Sequence, residues 1–165
     1  AGMQNWFQGG DAFDRECDAR FRQAHFVAGR RELEHWLDTA EGGLALLILL
    51  DQIPRNIFRD SAHAFATDPL ARHYAGRMIE AGFDCIFEAD LRGFVYLPYE
   101  HSEDLADQHR SVALFADVDH DEYRRYAQAH LDVIERFGRF PHRNRALGRT
   151  NTPDEQAWLD AGGGF

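Results

Sequence analysis

Apolar residues recur along most of this chain at intervals of three and four, the spacing that gathers them on one face of an α-helix. Asp11 is placed to cap a first helix with Phe13, Cys17, Phe21 and Ala24 on its apolar face and Gly29 just past its end. Leu33, Trp36 and Leu37 predict a second helix, closed by Gly42 and Gly43. The run Leu44 to Leu50 is apolar on all sides, the pattern of a short helix buried all round. Pro54 limits it, because proline lacks the N–H that the helical ladder needs. Asp68 followed by Pro69 reads as an N-cap with proline at the first helical position. That helix turns Leu70, Tyr74 and Met78 inward, with Gly82 beyond its end.

Between Phe83 and Tyr99 no single period dominates. Phe94 to Leu97 has the look of a strand, but the chain offers it no partner strand, so helical turns and loop are predicted there. Ser102 is expected to cap the next helix, which carries Leu105, His109, Val112, Ala113 and Ala116 on one face. Glu103 and Asp104 fall in its first turn, where the helix dipole favours acids. After an acidic loop, Tyr123, Tyr126, Ala127, His130, Ile134 and Phe137 keep the cleanest 3.6-residue period, and Gly138 closes it. Thr152-Pro-Asp-Glu155 is a capping box opening a last short helix with Trp158 and Leu159, before a loose tail whose Phe165 has the option of a surface groove. The expected architecture is therefore all-α without a β-sheet, about seven helices stacked as pairs in one domain covering residues 1–165.

Charge narrows the function. The formal net charge is -10 and the isoelectric point is near 5.3, which argues against nucleic acid and against anionic membrane surfaces as partners. The longest apolar run, seven residues, falls far short of the roughly 20 that span a bilayer. No charged start followed by an apolar stretch marks a signal peptide. Cys17 and Cys85 share no metal or redox spacing, as expected of a cytoplasmic protein. All 18 basic residues are arginine, each a planar fork suited to carboxylate or phosphate.

Against that acidic background, residues 136–149 hold Arg136, Arg139, Arg143, Arg145 and Arg149 with His142 and no acid. Such a block meets either an anion or acids from elsewhere in the fold, with Asp51, Asp68, Glu103 and Asp104 the available partners. The stretch Asp51 to Arg59 places polar groups directly after the buried helix, as a pocket edge does. Arg55 and Arg59 there serve equally well to cap the helix end. Candidate ligand-binding residues are Asp51, Arg55, Arg59, Arg139, His142, Arg143 and Asn144. Candidate acid/base groups are His101, Glu103, His130 and His142. Ser102 beside His101 makes an N-cap rather than a nucleophile, and His130 on an apolar face reads equally as a hydrogen-bonded core histidine. No metal-ligand spacing, phosphate loop or dinucleotide fingerprint occurs, so neither metal nor cofactor is expected. The leading expectation is a binding module for a small anion or an acidic peptide, in a pocket shared by the three segments around residues 51–59, 101–104 and 136–149. The competing one is a small hydrolase-type enzyme with a His–carboxylate pair in the same pocket.

Three segments carry a resemblance. They are Leu49-Leu-Asp-Gln-Ile-Pro-Arg-Asn-Ile-Phe-Arg59 with Ala64 to Ala71, Tyr96-Leu-Pro-Tyr-Glu-His-Ser-Glu-Asp-Leu-Ala106, and His130 to Asn144 with Leu147 to Arg149 and Thr152 to Glu155. Together they resemble the bacterial family known as domain of unknown function 924, over nearly the whole chain, with Phe-Gly-Arg-Phe-Pro-His-Arg-Asn the most specific string. Ile53 and Tyr99 replace other apolar residues. An aromatic segment is expected before Trp6 and is not found there, and Ala1-Gly2-Met3 has the form either of a cloning remnant or of a trimmed start. The resemblance implies an all-helical fold similar to tetratricopeptide repeats and no established activity.

Overall fold

The computed structural model describes residues 10–164; the expectations for the segment before Trp6 and for Phe165 fall outside them. Among the described residues there is no strand. Helix α1 covers Asp11–Gly29, with Gly10 in the cap position, so Asp11 lies in the first turn rather than at the cap. The predicted second helix is only a 3-10 turn, Glu34–Asp38. Thr39 then caps α2, Ala40–Leu47, by accepting a hydrogen bond from the Gly42 N–H at 3.1 Å.

Gly42 and Gly43 therefore begin a helix instead of ending one, and close approach explains them. A Cβ on Gly42 would sit 2.3 Å from the Trp36 carbonyl oxygen, and one on Gly43 would sit 2.7 Å from Met78 Sδ.

Pro54 does not stop the buried helix. A π-helical turn, Ile48–Gln52, carries the chain straight into α3, Ile53–Ile57, with Pro54 in its first turn. The Ile53 N–H reaches five residues back to Ile48 O. Three successive carbonyls at this break accept side-chain hydrogen bonds. Leu49 O takes His25 Nδ1 at 2.9 Å, Leu50 O takes Thr67 Oγ1 at 2.5 Å, and Asp51 O takes Arg55 Nη1 at 2.6 Å. The break is thus built from outside as well as from within, the usual condition for irregular backbone in a core. Of the apolar run, Leu46, Leu47 and Leu50 are fully buried, whereas Ala45 and Ile48 keep partial exposure.

Helix α4 spans Asp68–Glu80 with Thr67 at its cap, so Asp68 enters the helix and its carboxylate is turned to other work. Helix α5, Ala89–Glu100, contains Phe94 to Leu97 and accommodates Pro98 inside it. Asp104, not Ser102, caps α6, Leu105–Ala116, accepting from the Ala106 and Asp107 N–H groups. Ser102 is drawn off because its hydroxyl donates to Asp107 at 2.7 Å and accepts from Arg72 at 2.9 Å. Helix α7, Asp121–Phe137, ends on Gly138 at φ 69°, the left-handed conformation glycine adopts without a Cβ penalty. A 3-10 turn, Pro141–Arg143, leads to α8, Pro153–Asp160, which carries the Thr152–Glu155 capping box.

Consecutive helices α4 to α7 pack each against the next, α1 lies on α3 and the π-helical turn, and α2 lies on α4 and α5. This neighbour-to-neighbour order is compatible with tetratricopeptide-like stacking. One apolar cluster includes Leu47, Leu50, Tyr74, Met78, Val95 and Phe115. A smaller one, Val133, Ile134 and Phe140 with Phe137 and Trp158 against it, anchors the arginine-rich segment.

Candidate functional site

The π-helical turn places Asp51 at the edge of the apolar cluster, 1% exposed. His101, at the C-terminal end of α5, donates from Nδ1 to Asp51 Oδ1 at 2.8 Å. A carboxylate only accepts, so Nδ1 carries the hydrogen and Nε2 presents a lone pair. Gln52 Nε2 donates to Asp51 Oδ2 at 2.6 Å, and Arg55 Nη1 stands 3.2 Å from Oδ1. Burial by itself would raise the Asp51 pKa, but the Arg55 charge and then His101 and Gln52 reverse that and hold it below the usual carboxylate range. His101 is pushed below the ordinary imidazole range, by burial first and the Arg55 charge second, with Asp51 pulling the other way.

Arg55 also grips Asp68 with both nitrogens, at 2.9 and 3.0 Å. Arg143 comes to the same carboxylate from the 3-10 turn after α7, and arrives second. Its Nη1 is 3.6 Å from Asp68 Oδ2, beyond hydrogen-bond distance. Its guanidinium carbon lies 4.6 Å from the ring centre of Phe65 and 4.5 Å from that of Phe140, in cation–π range. The residue is 6% exposed, and its Nε is buried without a hydrogen-bond partner. Burial and then Arg55 lower its pKa to about 10, so it remains a cation at neutral pH.

Behind His101 lies Glu100, 3% exposed, a residue the sequence did not single out. Its Oε1 is 3.5 Å from His130 Nδ1, and its Oε2 is buried without a partner. No cation faces it, and burial followed by repulsion from Asp51 raises its pKa to about 8. His130 Nδ1 donates to Tyr126 O at 2.8 Å, and the ring centres of His101 and His130 are 6.3 Å apart. Burial first, then His101, lowers His130 to about 3. One cluster thus holds an ionised carboxyl and a protonated one, separated by whether cations surround them.

The remaining predicted residues have other engagements. Arg139 is clamped to Glu155 at 2.6 and 2.8 Å and to Thr150 O at 2.9 Å. Glu103 pairs with Arg149 at 2.8 and 2.9 Å and accepts the Phe140 N–H at 2.8 Å. Arg59 is exposed and holds Asp14 on α1. Asn144 is buried and donates to Asn151 Oδ1 at 2.8 Å. His142 faces solvent, yet the protein around it and then Arg143 lower it to about 4. The three segments do meet, through Asp51–His101, through Arg143 beside the Asp68–Arg55 pair, and through Glu103–Arg149. A surface depression of about 480 Å³ opens instead on the Arg139–Glu155 side, lined by Arg136, Phe137 and Thr152 among others and not by Asp51, His101 or Arg143.

Of the groups that sequence reasoning missed, Glu155 had a signal, since its place in the capping box held it buried beside the arginine-rich segment. Phe65 and Glu100 had none; only the packing brings them in. Among the described residues, no group of three or more His, Cys, Asp or Glu is placed to hold a metal ion, and no helix is long and apolar enough to cross a membrane.

The chain is similar over 97% of its length to a solved structure of a protein of unknown function from Agrobacterium tumefaciens, at 50% identity and a TM-score of 0.93, covering 90% of that chain. Comparison with curated proteins gives no match. A family model described as "Bacterial protein of unknown function (DUF924)" matches residues 1–163, and the chain belongs to that family.

Proposed function

We propose that this protein binds a small anionic molecule, or the carboxylate of an acidic peptide, through Arg143 beside the Asp51–His101 pair. One observation carries the reading. Arg143 is a buried cation whose nearest carboxylate is already gripped bidentately by Arg55. Leaving a charge incompletely paired in a protein interior is unfavourable, and an incoming carboxylate or phosphate relieves it with bidentate geometry. The guanidinium carbon lies over the rings of Phe65 and Phe140, which hold it in place. Entry is by way of His101, whose side chain is 13% exposed, and solvent-facing His142. Two free cysteines far apart in the chain agree with a cytoplasmic setting.

Titration calorimetry with sulfate at low salt tests this. Arg143→Gln should abolish the binding, while Arg145→Gln, an exposed arginine of the same segment, should leave it within about twofold. Equal affinity in the two variants, or no binding by the native protein, defeats the reading.

The Asp51–His101 hydrogen bond favours a second reading, a hydrolase-type enzyme with His101 Nε2 as general base. Ser102 is engaged by Asp107 and Arg72, so water would be the nucleophile. Loss of hydrolysis of a small ester or phosphate panel in His101→Asn is the corresponding test.

A further inference from the structure

We infer that the anion enters this site together with a proton, taken up by His101 Nε2, so that the protein binds the acid-equivalent of its ligand and not the bare anion. The inference rests on the anion reading above and deepens it.

Titratable groups from six elements surround His101, and the Glu103–Arg149 ion pair next to them adds no net charge. Asp51 and Arg55 come from the π-helical turn and α3, Asp68 from α4, Glu100 from α5, His130 from α7, and His142 and Arg143 from the 3-10 turn after it. Two are anions, Asp51 and Asp68, and two are cations, Arg55 and Arg143. Glu100 has no cation beside it and keeps its proton, and the three histidines are neutral at pH 7. The cluster is balanced as it stands. An anion placed against Arg143 would leave it with negative charge in excess, one unit for a carboxylate and two for sulfate, in surroundings where a net charge is poorly solvated. One proton cancels the excess of a carboxylate and reduces that of sulfate.

The geometry selects the acceptor. His101 already donates from Nδ1 to the ionised Asp51 at 2.8 Å, so protonating Nε2 makes an imidazolium with its counter-charge in contact. His130 gives its Nδ1 hydrogen to a backbone carbonyl, and burial together with the charges of His101 and Arg143 opposes its protonation. His142 is adjacent to the Arg143 cation, which opposes protonation. In the step itself the buffer or hydronium loses a proton and Nε2 gains one; no other bond changes.

The sign of the linkage follows. The free-state pKa of His101 lies below the ordinary imidazole value, and a bound anion raises it. Affinity should then strengthen as pH falls through the bound-state pKa, by up to about tenfold per pH unit, and level off below the free-state pKa.

The experiment is sulfate titration in two buffers of different ionisation enthalpy at about pH 6.5, since sulfate itself does not titrate there. The native protein should show buffer-dependent heat equal to uptake of a substantial fraction of one proton per sulfate. Glu100→Gln should keep that uptake, and His101→Asn, whose amide retains the hydrogen bond to Asp51, should bind sulfate without it. Nitrogen NMR of labelled histidine in the native protein should show Nε2 of His101 becoming protonated as sulfate is added. Buffer-independent heat in the native protein, or uptake that persists in His101→Asn, overturns the inference and leaves the anion reading intact. Absence of sulfate binding overturns both.

Discussion

Asp51 and His101, fifty positions apart in the chain, meet through a 2.8 Å hydrogen bond where α2 gives way to its π-helical turn. The turn widens the helix just before Pro54, and the carbonyls it presents are taken up by His25, Thr67 and Arg55. The Asp51 carboxylate is held there by hydrogen bonds from His101 and Gln52 and by the Arg55 ion pair. His101 is consequently fixed in one tautomer with its second nitrogen available, which is the property the enzyme reading and the proton-uptake inference draw on.

Asp68 is the keystone of the arginine pairing. Replacing it with asparagine leaves Arg55 and Arg143 close together with one carboxylate fewer. Asp68→Asn should lower stability by about 3–5 kcal/mol, the usual result of removing one partner from a buried pair. Added sulfate should raise the melting temperature of the variant more than that of the native protein. Equal melting temperatures without sulfate would show that Arg55 and Arg143 do not depend on Asp68.

Glu100 should make stability fall with rising pH. Its folded-state pKa, about 8, lies above its ordinary value of 4.5. Its contribution is therefore complete below about pH 4.5 and lost as pH rises through 8, over a range worth at most on the order of 5 kcal/mol. Glu100→Gln removes that dependence. Urea unfolding of both proteins at about pH 5 and about pH 8.5 should show the variant gaining on the native protein by several kcal/mol at the higher pH. A stability difference independent of pH would mean that Glu100 is not buried as a neutral acid.

Leu47→Ala should destabilise by about 2–5 kcal/mol, because Leu47 is 1% exposed and a cavity would remain. Ile48→Ala should cost clearly less, since Ile48 sits half-buried at the start of the π-helical turn. Chemical denaturation of the two variants side by side checks the order; a reversed order contradicts the placement of this helix.

Gly42 and Gly43 should respond differently to alanine. At Gly42 the new methyl meets the rigid carbonyl of Trp36 at 2.3 Å, and at Gly43 it meets the flexible end of Met78 at 2.7 Å. Gly42→Ala should cost about 2–3 kcal/mol and Gly43→Ala about 1 kcal/mol, as measured by thermal unfolding. Equal losses would imply that the Trp36 backbone yields as readily as a methionine side chain.

Much of this was legible in the sequence because it is local. The periods of α1, α4 and α7, the left-handed glycine at 138 and the Thr152–Glu155 capping box each depend on residues within a turn or two of one another. Helix α6 does not follow its expected face: it buries Gln108, Ser111 and Phe115 and leaves Leu105, His109, Ala113 and Ala116 exposed, because the Gln108 amide is drawn in to the Glu100 and Ser102 carbonyls. So does the absence of acids from residues 136–149, which marked where cations would need partners. Local reading faltered where a distant contact outcompeted a local preference. Ser102 gave up its cap to reach Asp107 and Arg72, Asp68 left its cap for Arg55, and Gly42 and Gly43 served a close packing contact instead of a helix end. The pairing itself was decided only by tertiary structure. Arg139 and Arg143 are four positions apart in the same acid-free segment, yet one is clamped to Glu155 and the other is left 3.6 Å from a shared carboxylate. Asp51 and Glu100 are both buried carboxyls, yet one is ionised and the other protonated. The reason is the same in each case: a charge in a protein interior takes its state from the few groups that packing brings within a few ångströms, and those groups come from elsewhere in the chain.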